Sequence, residues 1–290
     1  MKLYTVKIQD REQVCVESIA RPGFLSPLPY DTMNALLTDD PAVRDKALAE
    51  AAALPGEIAL ENVTVLAPIP RPMQDVICLG MNYQKHKTEA EQYNKEAFTR
   101  EKGSAVYFSK RATYCPGPGE PIPGHFDIVD RLDYECELAV VLGKDAVNVS
   151  EEDAADYVFG YTIVNDVSAR NLQTGHKQWY FGKGLDGFTP MGPCIVTKDE
   201  LSAFPPAQPI RAFVNGEKRQ DAVTDEQIFP IPYVIHELSQ GMTLRAGTVI
   251  ATGTPAGVGM GFDPPKFLKA GDVVRCEIDG IGVLENPVEG

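Results

Sequence analysis

No two of the six cysteines in this sequence, Cys15, Cys78, Cys115, Cys136, Cys194 and Cys276, are spaced C-x-x-C. Their scatter argues against a disulfide framework and against a thiolate zinc site, and several lie in apolar runs where cysteine packs as a small hydrophobe. Positive charge is in deficit: 27 Lys and Arg stand against 41 Asp and Glu, a formal net charge of −14. A surface that acidic repels phosphate backbones and anionic lipid, and no basic cluster offsets it, so no nucleic acid and no membrane is expected as a partner. No apolar run approaches the roughly 18 residues needed to cross a bilayer. The opening MKLYTVKIQDREQ lacks the apolar stretch of a signal peptide. The expected compartment is therefore reducing and cytoplasmic. Internal repeats and low-complexity tracts are absent as well. What remains is a chain of 290 residues, 43% apolar and 23% charged, enough for one large domain or two unequal ones.

Hydrophobic period and turn residues divide the chain. Residues 1–20 alternate as a strand pair with a turn near Gln9-Asp10. Residues 39–53 read as a helix, with acids at its start, Pro41 in the first turn and alanines after it. Residues 60–72, LENVTVLAPIPRP, read as a short strand closing on three prolines, which suits a domain junction. The expected domains are a small N-terminal one, 1–70, and a catalytic one, 71–290. In the second, strands are expected at 75–80, 104–110, 134–143, 159–167, 193–198, 210–216, 247–253 and 272–288, the last turning at Asp279-Gly280. Helices are expected at 151–158, where Ser150 and Asp153 resemble a cap, and at 231–240. The fold class is α+β and β-rich, not a doubly wound sheet.

The segment Y-E-C-E-L-A-V-V-L-G, 134–143, carries the first chemical signal. On a strand Glu135 and Glu137 point to one face, with Ala139 and Val141 continuing it, about 7 Å apart along the chain. The opposite face, Tyr134, Cys136, Leu138 and Val140, is mostly apolar, so the strand reads as buried on both sides. Two carboxylates there are costly unless a cation neutralises them or one keeps a proton. Asp166 ends a second apolar strand, Y-T-I-V-N-D. Three carboxylates without cysteine or paired histidine make a hard-oxygen site for Mg²⁺ or Mn²⁺. The alternative is that each acid pairs with Arg or Lys at a strand edge.

A second signal is N-Y-Q-K-H-K-T-E, 82–89, in which His86 and Glu89 share a face if a helix follows the strand before them. A carboxylate beside an imidazole fixes its tautomer and raises its basicity, as a general base requires. His125, His176 and His236 have no such neighbour. Arg170, Gln173 and Lys183 follow Asp166 closely and suit an anionic substrate such as an α-keto acid, as does Lys110; ordinary surface charge is the competing reading. The glycine-rich T-G-T-P-A-G-V-G-M-G, 252–261, lacks the helix that holds a pyrophosphate, so nucleotide-binding readings fail. That loop offers Thr252, Thr254 and backbone N–H groups to a carboxylate or enolate oxygen.

In order, GMNYQKHKTEAE, LDYECELAVVLG, GYTIVNDVSARNLQ, GKGLDGFTPMGP and GTVIATGTPAGVG make the chain from about residue 72 to 290 resemble the fumarylacetoacetate hydrolase family. The resemblance implies a mixed β-sandwich roll, a homodimer, and a variable N-terminal region at 1–70. It implies that Glu135, Glu137 and Asp166 hold Mg²⁺ or a similar ion, and that His86 and Glu89 form a water-activating dyad on a lid. It also implies that Lys183 stands near the metal, that Arg170 and Gln173 contact substrate, and that Thr254 grips the keto-acid end. A fourth acidic ligand, as in larger members, is not identified, although Asp127, Asp130 and Asp133 lie just upstream. The expected substrate is a small 2-oxo or 2,4-dioxo acid. Hydrolysis of an acylpyruvate C–C bond is favoured over oxaloacetate decarboxylation and keto–enol isomerisation, with the acyl part set by loops 90–103 and 217–227. A non-catalytic keto-acid-binding protein and an acidic scaffold are the readings outside enzyme chemistry.

Overall fold

The computed structural model describes residues 1–98, 103–201 and 203–290. The first hairpin pairs β1 (Lys2–Ile8) with β2 (Arg11–Glu17). It turns through Gln9 and Asp10, whose φ values of 48° and 62° are those of a type I′ turn. β3 (Phe24–Pro27) extends this sheet, and α1 (Met33–Thr38) and α2 (Pro41–Ala52) pack beside it. Asp40 caps α2 by accepting from the amides of Ala42 and Val43, and Pro41 fills the first helical position, where no amide is needed. β4 (Ile58–Ala59) and β5 (Thr64–Val65) follow. The strand expected over 60–72 thus shrinks to two residues. A 3₁₀ turn takes 60–62, and the prolines from Pro68 onward have no amide to give a ladder.

β6 (Val76–Gly80) leads into α3 (Gln84–Tyr93) and α4 (Lys95–Phe98), and the chain returns as β7 (Val106–Lys110). Of loop 90–103, residues 99–102 lie outside the described residues. Next come β8 (Ile122–Pro123), β9 (Leu132–Asp133), β10 (Cys136–Leu142), β11 (Val158–Asn165) and β12 (Ser168–Ala169). α5 (Arg170–Gly175), α6 (Tyr180–Lys183) and β13 (Met191–Thr197) complete the middle of the chain. The helix expected at 151–158 does not form. Ser150 and Asp153 do hydrogen-bond, but they close a turn, and one 3₁₀ turn at 154–157 gives way to the apolar strand at Val158.

The last third holds β14 (Pro209–Val214), β15 (Glu217–Val223), α7 (Ile231–Ser239), β16 (Val249–Ala251), β17 (Val273–Ile278) and β18 (Gly282–Glu289). The segment 217–227, read as a loop, begins as a strand. Asn215 and Gly216, at φ 51° and 80°, make the turn that folds β15 back on β14.

Among the described residues the strands form an eleven-stranded sheet, β4-β3-β2-β1-β13-β11-β10-β16-β6-β7 with β5 beside β1, a five-stranded sheet, β15-β14-β17-β18-β8, and the short pair β12-β9. Between them lies the larger core, where Leu138, Val140, Tyr161 and Ile163 meet Ile210, Ala212, Val274, Cys276 and Leu284. The other face of the large sheet carries Ala139, Val141 and Val164 in a second core with Leu36, Leu37 and Leu48. The architecture is the β-rich α+β class expected, and β10 and β11 are buried on both faces. All six cysteines are free and buried. No helix among the described residues is long and apolar enough to cross a membrane.

Candidate active site

The carboxylates converge because of strand register. Cys136, the first residue of β10, pairs with Asn165, the last of β11. Glu135, Glu137 and Asp166 therefore sit at the same end of two adjacent strands. The Asp166 amide donates to the Glu135 carbonyl at 2.8 Å, and the Glu135 amide to the Asn165 side chain at 3.0 Å. One oxygen of each of the three acids lies within 4.8 Å of the others, and all three residues are buried.

Buried cations surround the acids. Lys183, at the end of α6, donates to Glu135 at 2.9 Å and to Asp166 at 2.7 Å. Lys110, at the end of β7, donates to Asp166 at 2.5 Å and to the Val167 carbonyl at 2.9 Å. Arg170, first residue of α5, lies 2.7 Å from Glu135 and donates to Gln173 at 3.0 Å. Burial works against both the Lys183 ammonium and the Arg170 guanidinium, yet the neighbouring carboxylates raise each above its ordinary value. Burial likewise opposes ionisation of Glu135, but Lys183, Arg170 and then His86 outweigh it and hold its carboxyl well below the usual range.

Glu137 differs. Its Oε2 accepts the Gly253 amide at 2.8 Å, while Oε1 is buried with no hydrogen-bond partner. Burial first, then the charges of Asp166 and Glu135, push its carboxyl well above the usual range. An orphaned oxygen among three clustered carboxylates fits a hard divalent cation, which would offset the burial and like charge that raise the Glu137 carboxyl. Glu135, Glu137 and Asp166 are the residues that would hold it, and an all-oxygen set suits Mg²⁺ and Mn²⁺ alike. A second orphan is Arg170 Nη2, also buried and without a partner.

Of the three aspartates upstream, Asp127 and Asp130 are exposed. Asp133 is fully buried, but its oxygens accept from Arg170 Nε at 2.8 Å and from the amides of Tyr134, Gly259 and Met260 at 2.9, 2.6 and 3.0 Å. It is a brace, with its lone pairs already engaged.

His86 and Glu89 lie on α3, and His86 is buried. Nδ1 of His86 is 3.6 Å from Glu89 Oε2, beyond a hydrogen bond, and has no partner. The Glu89 carboxylate instead accepts the Gly257 amide at 3.0 and 3.1 Å. Thr254 is buried, its hydroxyl donating to the Cys136 carbonyl at 2.8 Å. Thr252 donates likewise to Leu138 and accepts from Gln227.

Sequence reasoning missed Gln220. From β15 its Oε1 accepts the Cys136 amide at 3.0 Å, and its Nε2 donates to Thr254 and to the Pro255 carbonyl, each at 2.7 Å. A glutamine that is fully buried between a metal-site strand and a glycine-rich loop locks the two together. Its only sequence signal was the Asn215-Gly216 turn that makes β15 a strand. His125 and His236 bond to backbone carbonyls of Asp186 and Val149 instead.

A β-rich roll with carboxylates from two strand ends facing buried lysines and an arginine defines a class of metal-site enzyme folds. Residues 75–289 match the model of the fumarylacetoacetate (FAA) hydrolase C-terminal family, and the chain belongs to that family. Over 230 residues it is 47% identical to oxaloacetate tautomerase YisK of Bacillus subtilis, covering 79% of this chain and 74% of that protein. The fumarylacetoacetate hydrolase of psychrophilic Exiguobacterium antarcticum superposes with a TM-score of 0.82 at 37% identity, over 100% of this chain and 99% of that one. Maleylpyruvate hydrolase from Sphingobium sp. SYK-6, solved with manganese(II) and pyruvate, superposes with a TM-score of 0.77 at 28% identity, again over 100% and 99%.

Proposed function

We propose that the protein is a divalent-metal-dependent enzyme on 2-oxo acids, and that keto–enol tautomerisation of oxaloacetate is the reaction its site suits best. The observation that carries this reading is the pair of buried orphans, Glu137 Oε1 and Arg170 Nη2, beside one carboxylate cluster. A hard cation satisfies the first and an organic carboxylate the second. A 2-oxo acid brings a carboxylate and a keto oxygen together. The named activity of the Bacillus relative supports the choice of reaction.

A bound divalent ion would supply Lewis acidity toward the 2-oxo oxygen. The chain's own groups do the rest. Arg170 Nη2 takes the substrate carboxylate, and Gln173, bonded to Nη1, fixes the guanidinium plane. Lys183 has spent two of its three N–H donors on Glu135 and Asp166, which leaves the third for the oxygen that becomes the enol. Tautomerisation moves one proton between carbon 3 and that oxygen, and His86 Nδ1, buried and unpaired, holds the proton at carbon 3.

A second reading, hydrolysis of an acylpyruvate C–C bond, is favoured by the 3.6 Å approach of Glu89 to His86. A small inward shift of the carboxylate would complete a water-activating dyad. The test follows the ultraviolet absorbance of enol oxaloacetate and of acetylpyruvate, each with Mg²⁺ and with EDTA. Metal-dependent equilibration of oxaloacetate without pyruvate formation supports the tautomerase. Stoichiometric pyruvate and acetate from acetylpyruvate, lost in His86→Ala, replaces it with the hydrolase. No metal-dependent change in either overturns both. The reading includes a cytoplasmic homodimer, whose subunit number light scattering measures.

A further inference from the structure

The brace at Asp133 connects two parts of the site that are built differently, the strand-end arginine and the turn under α3. Its carboxylate grips Arg170 Nε at 2.8 Å on one side and the amides of Gly259 and Met260 at 2.6 and 3.0 Å on the other. Those two residues begin the 3₁₀ turn at 259–261, against which α3 packs. Both glycines of the turn are shaped for this. A Cβ at Gly259 would stand 2.6 Å from Asp133 Oδ1, and one at Gly261 would stand 2.7 Å from the Glu89 carboxyl carbon. The preceding Gly257 gives its amide to Glu89. One buried carboxylate therefore holds the arginine that meets substrate and the seat on which the His86 helix rests.

We infer that Asp133 is a positioning residue that couples Arg170 to the α3 seat, so that occupation of the arginine by a substrate carboxylate and closure of the His86 helix are set by one group. This rests on the reading of Arg170 given above. Four donors converge on the Asp133 oxygens, the fourth being the Tyr134 amide. An asparagine in its place keeps one acceptor oxygen and turns an N–H₂ toward donors, so one side of the brace must let go. The segments joined, near residues 133, 170 and 260, are far apart in sequence; the turn is also tied by the Lys266 amide on the Gly259 carbonyl at 2.9 Å, a bond that involves neither Asp133 nor Arg170.

The experiment compares the wild-type protein, Asp133→Asn and Gly261→Ala by amide hydrogen exchange over residues 84–93, with Mg²⁺ and no substrate, and by steady-state kinetics on oxaloacetate. In Asp133→Asn exchange over 84–93 speeds at least tenfold, KM rises at least tenfold and kcat falls, while β10 and β11 keep their protection. In Gly261→Ala, which disturbs Glu89 but leaves Arg170 untouched, exchange speeds and kcat falls while KM stays within twofold. Unchanged exchange or unchanged KM in Asp133→Asn overturns the inference. Loss of protection in β10 and β11, or an equal rise of KM in Gly261→Ala, overturns it too, the first by showing a general structural role and the second by showing that KM follows the helix alone. A wild-type protein silent on oxaloacetate withdraws the functional reading instead, and the substrate-free exchange of Asp133→Asn then decides the seat by itself.

Discussion

β10 with β11 and α3 contribute to one site from opposite kinds of structure. Every residue of the two strands is buried, each strand is paired on both sides, and side chains pack on both faces. α3 buries only His86 and Ala90, and no side chain caps its N-terminus at Tyr83. A helix of ten residues is shorter than the roughly 12–15 that hold together alone in water, so α3 depends on its seat. The difference teaches where each chemical task can sit. Three carboxylates that repel one another need a frame that cannot relax, whereas a group that carries a proton to a substrate gains from an element that opens at low cost.

The largest expected effect is on the rigid side. Glu137→Gln removes the orphaned oxygen's charge but keeps an acceptor for the Gly253 amide. Metal-dependent turnover should fall on the order of 10³-fold, with the far-ultraviolet circular dichroism unchanged. An active variant would show that the strands' acids are structural. Arg170→Lys comes next. It keeps the charge and loses the planar fork that joins Asp133, Gln173 and Glu135, so kcat/KM for oxaloacetate should fall on the order of 10²-fold, mostly through KM.

A third prediction concerns metal and pH. The raised Glu137 carboxyl binds a proton in the metal-free folded protein that the unfolded chain has released above its ordinary value of 4.5. Metal-free stability therefore declines as pH rises from that value toward the folded one. A cation takes the proton's place, so the rise in Tm on adding Mg²⁺ should be larger at pH 8 than at pH 6. At a hundredfold excess over Kd the gain is about 2.7 kcal/mol. Thermal melts with Mg²⁺ and EDTA at the two pH values check this, and a larger gain at pH 6 would count against a protonated Glu137.

The smallest effect belongs to the helix. Glu89→Gln keeps an acceptor for Gly257 but loses the charge near His86, and should lower oxaloacetate turnover by less than about tenfold. A much larger loss, confined to acetylpyruvate cleavage, would move the assignment to the hydrolase. Trp179 offers a direct readout of the same element, since this single tryptophan packs against Phe98 of α4 at 5.6 Å between ring centroids, the planes tilted by 53°. Closure of the helix pair should change its emission.

The choice of a metal over pairing with Arg or Lys came from the family resemblance, and the structure shows those cations beside the acids as well. Much of the carboxylate cluster was legible because its cost is local: two glutamates in an apolar strand, and an aspartate ending another, stand out by spacing. The β1–β2 turn, α2 and α7 were legible for the same reason, through turn residues, a proline start and apolar period. β15 was not, since Glu217, Lys218, Arg219 and Asp221 mark it as solvent-facing and only Gln220 is fully buried. The purposes of Gln220 and Asp133 were beyond reach for a physical reason. Their partners are 84 and 126 residues away in the chain, at Cys136 and Gly259, and no spacing rule spans such a contact. The helix expected at 151–158 does not form because the apolar run that starts at Val158 draws its last residue into β11.

The central claim is that Glu137 completes a divalent-cation site. Calorimetric titration of the EDTA-treated protein with Mn²⁺, beside Glu137→Gln, tests it most directly. The account predicts one site per chain, proton release on binding that declines as the buffer pH rises toward the raised Glu137 value, and loss of that site in the variant. Equal binding by both proteins, or no binding by the wild type, would contradict it.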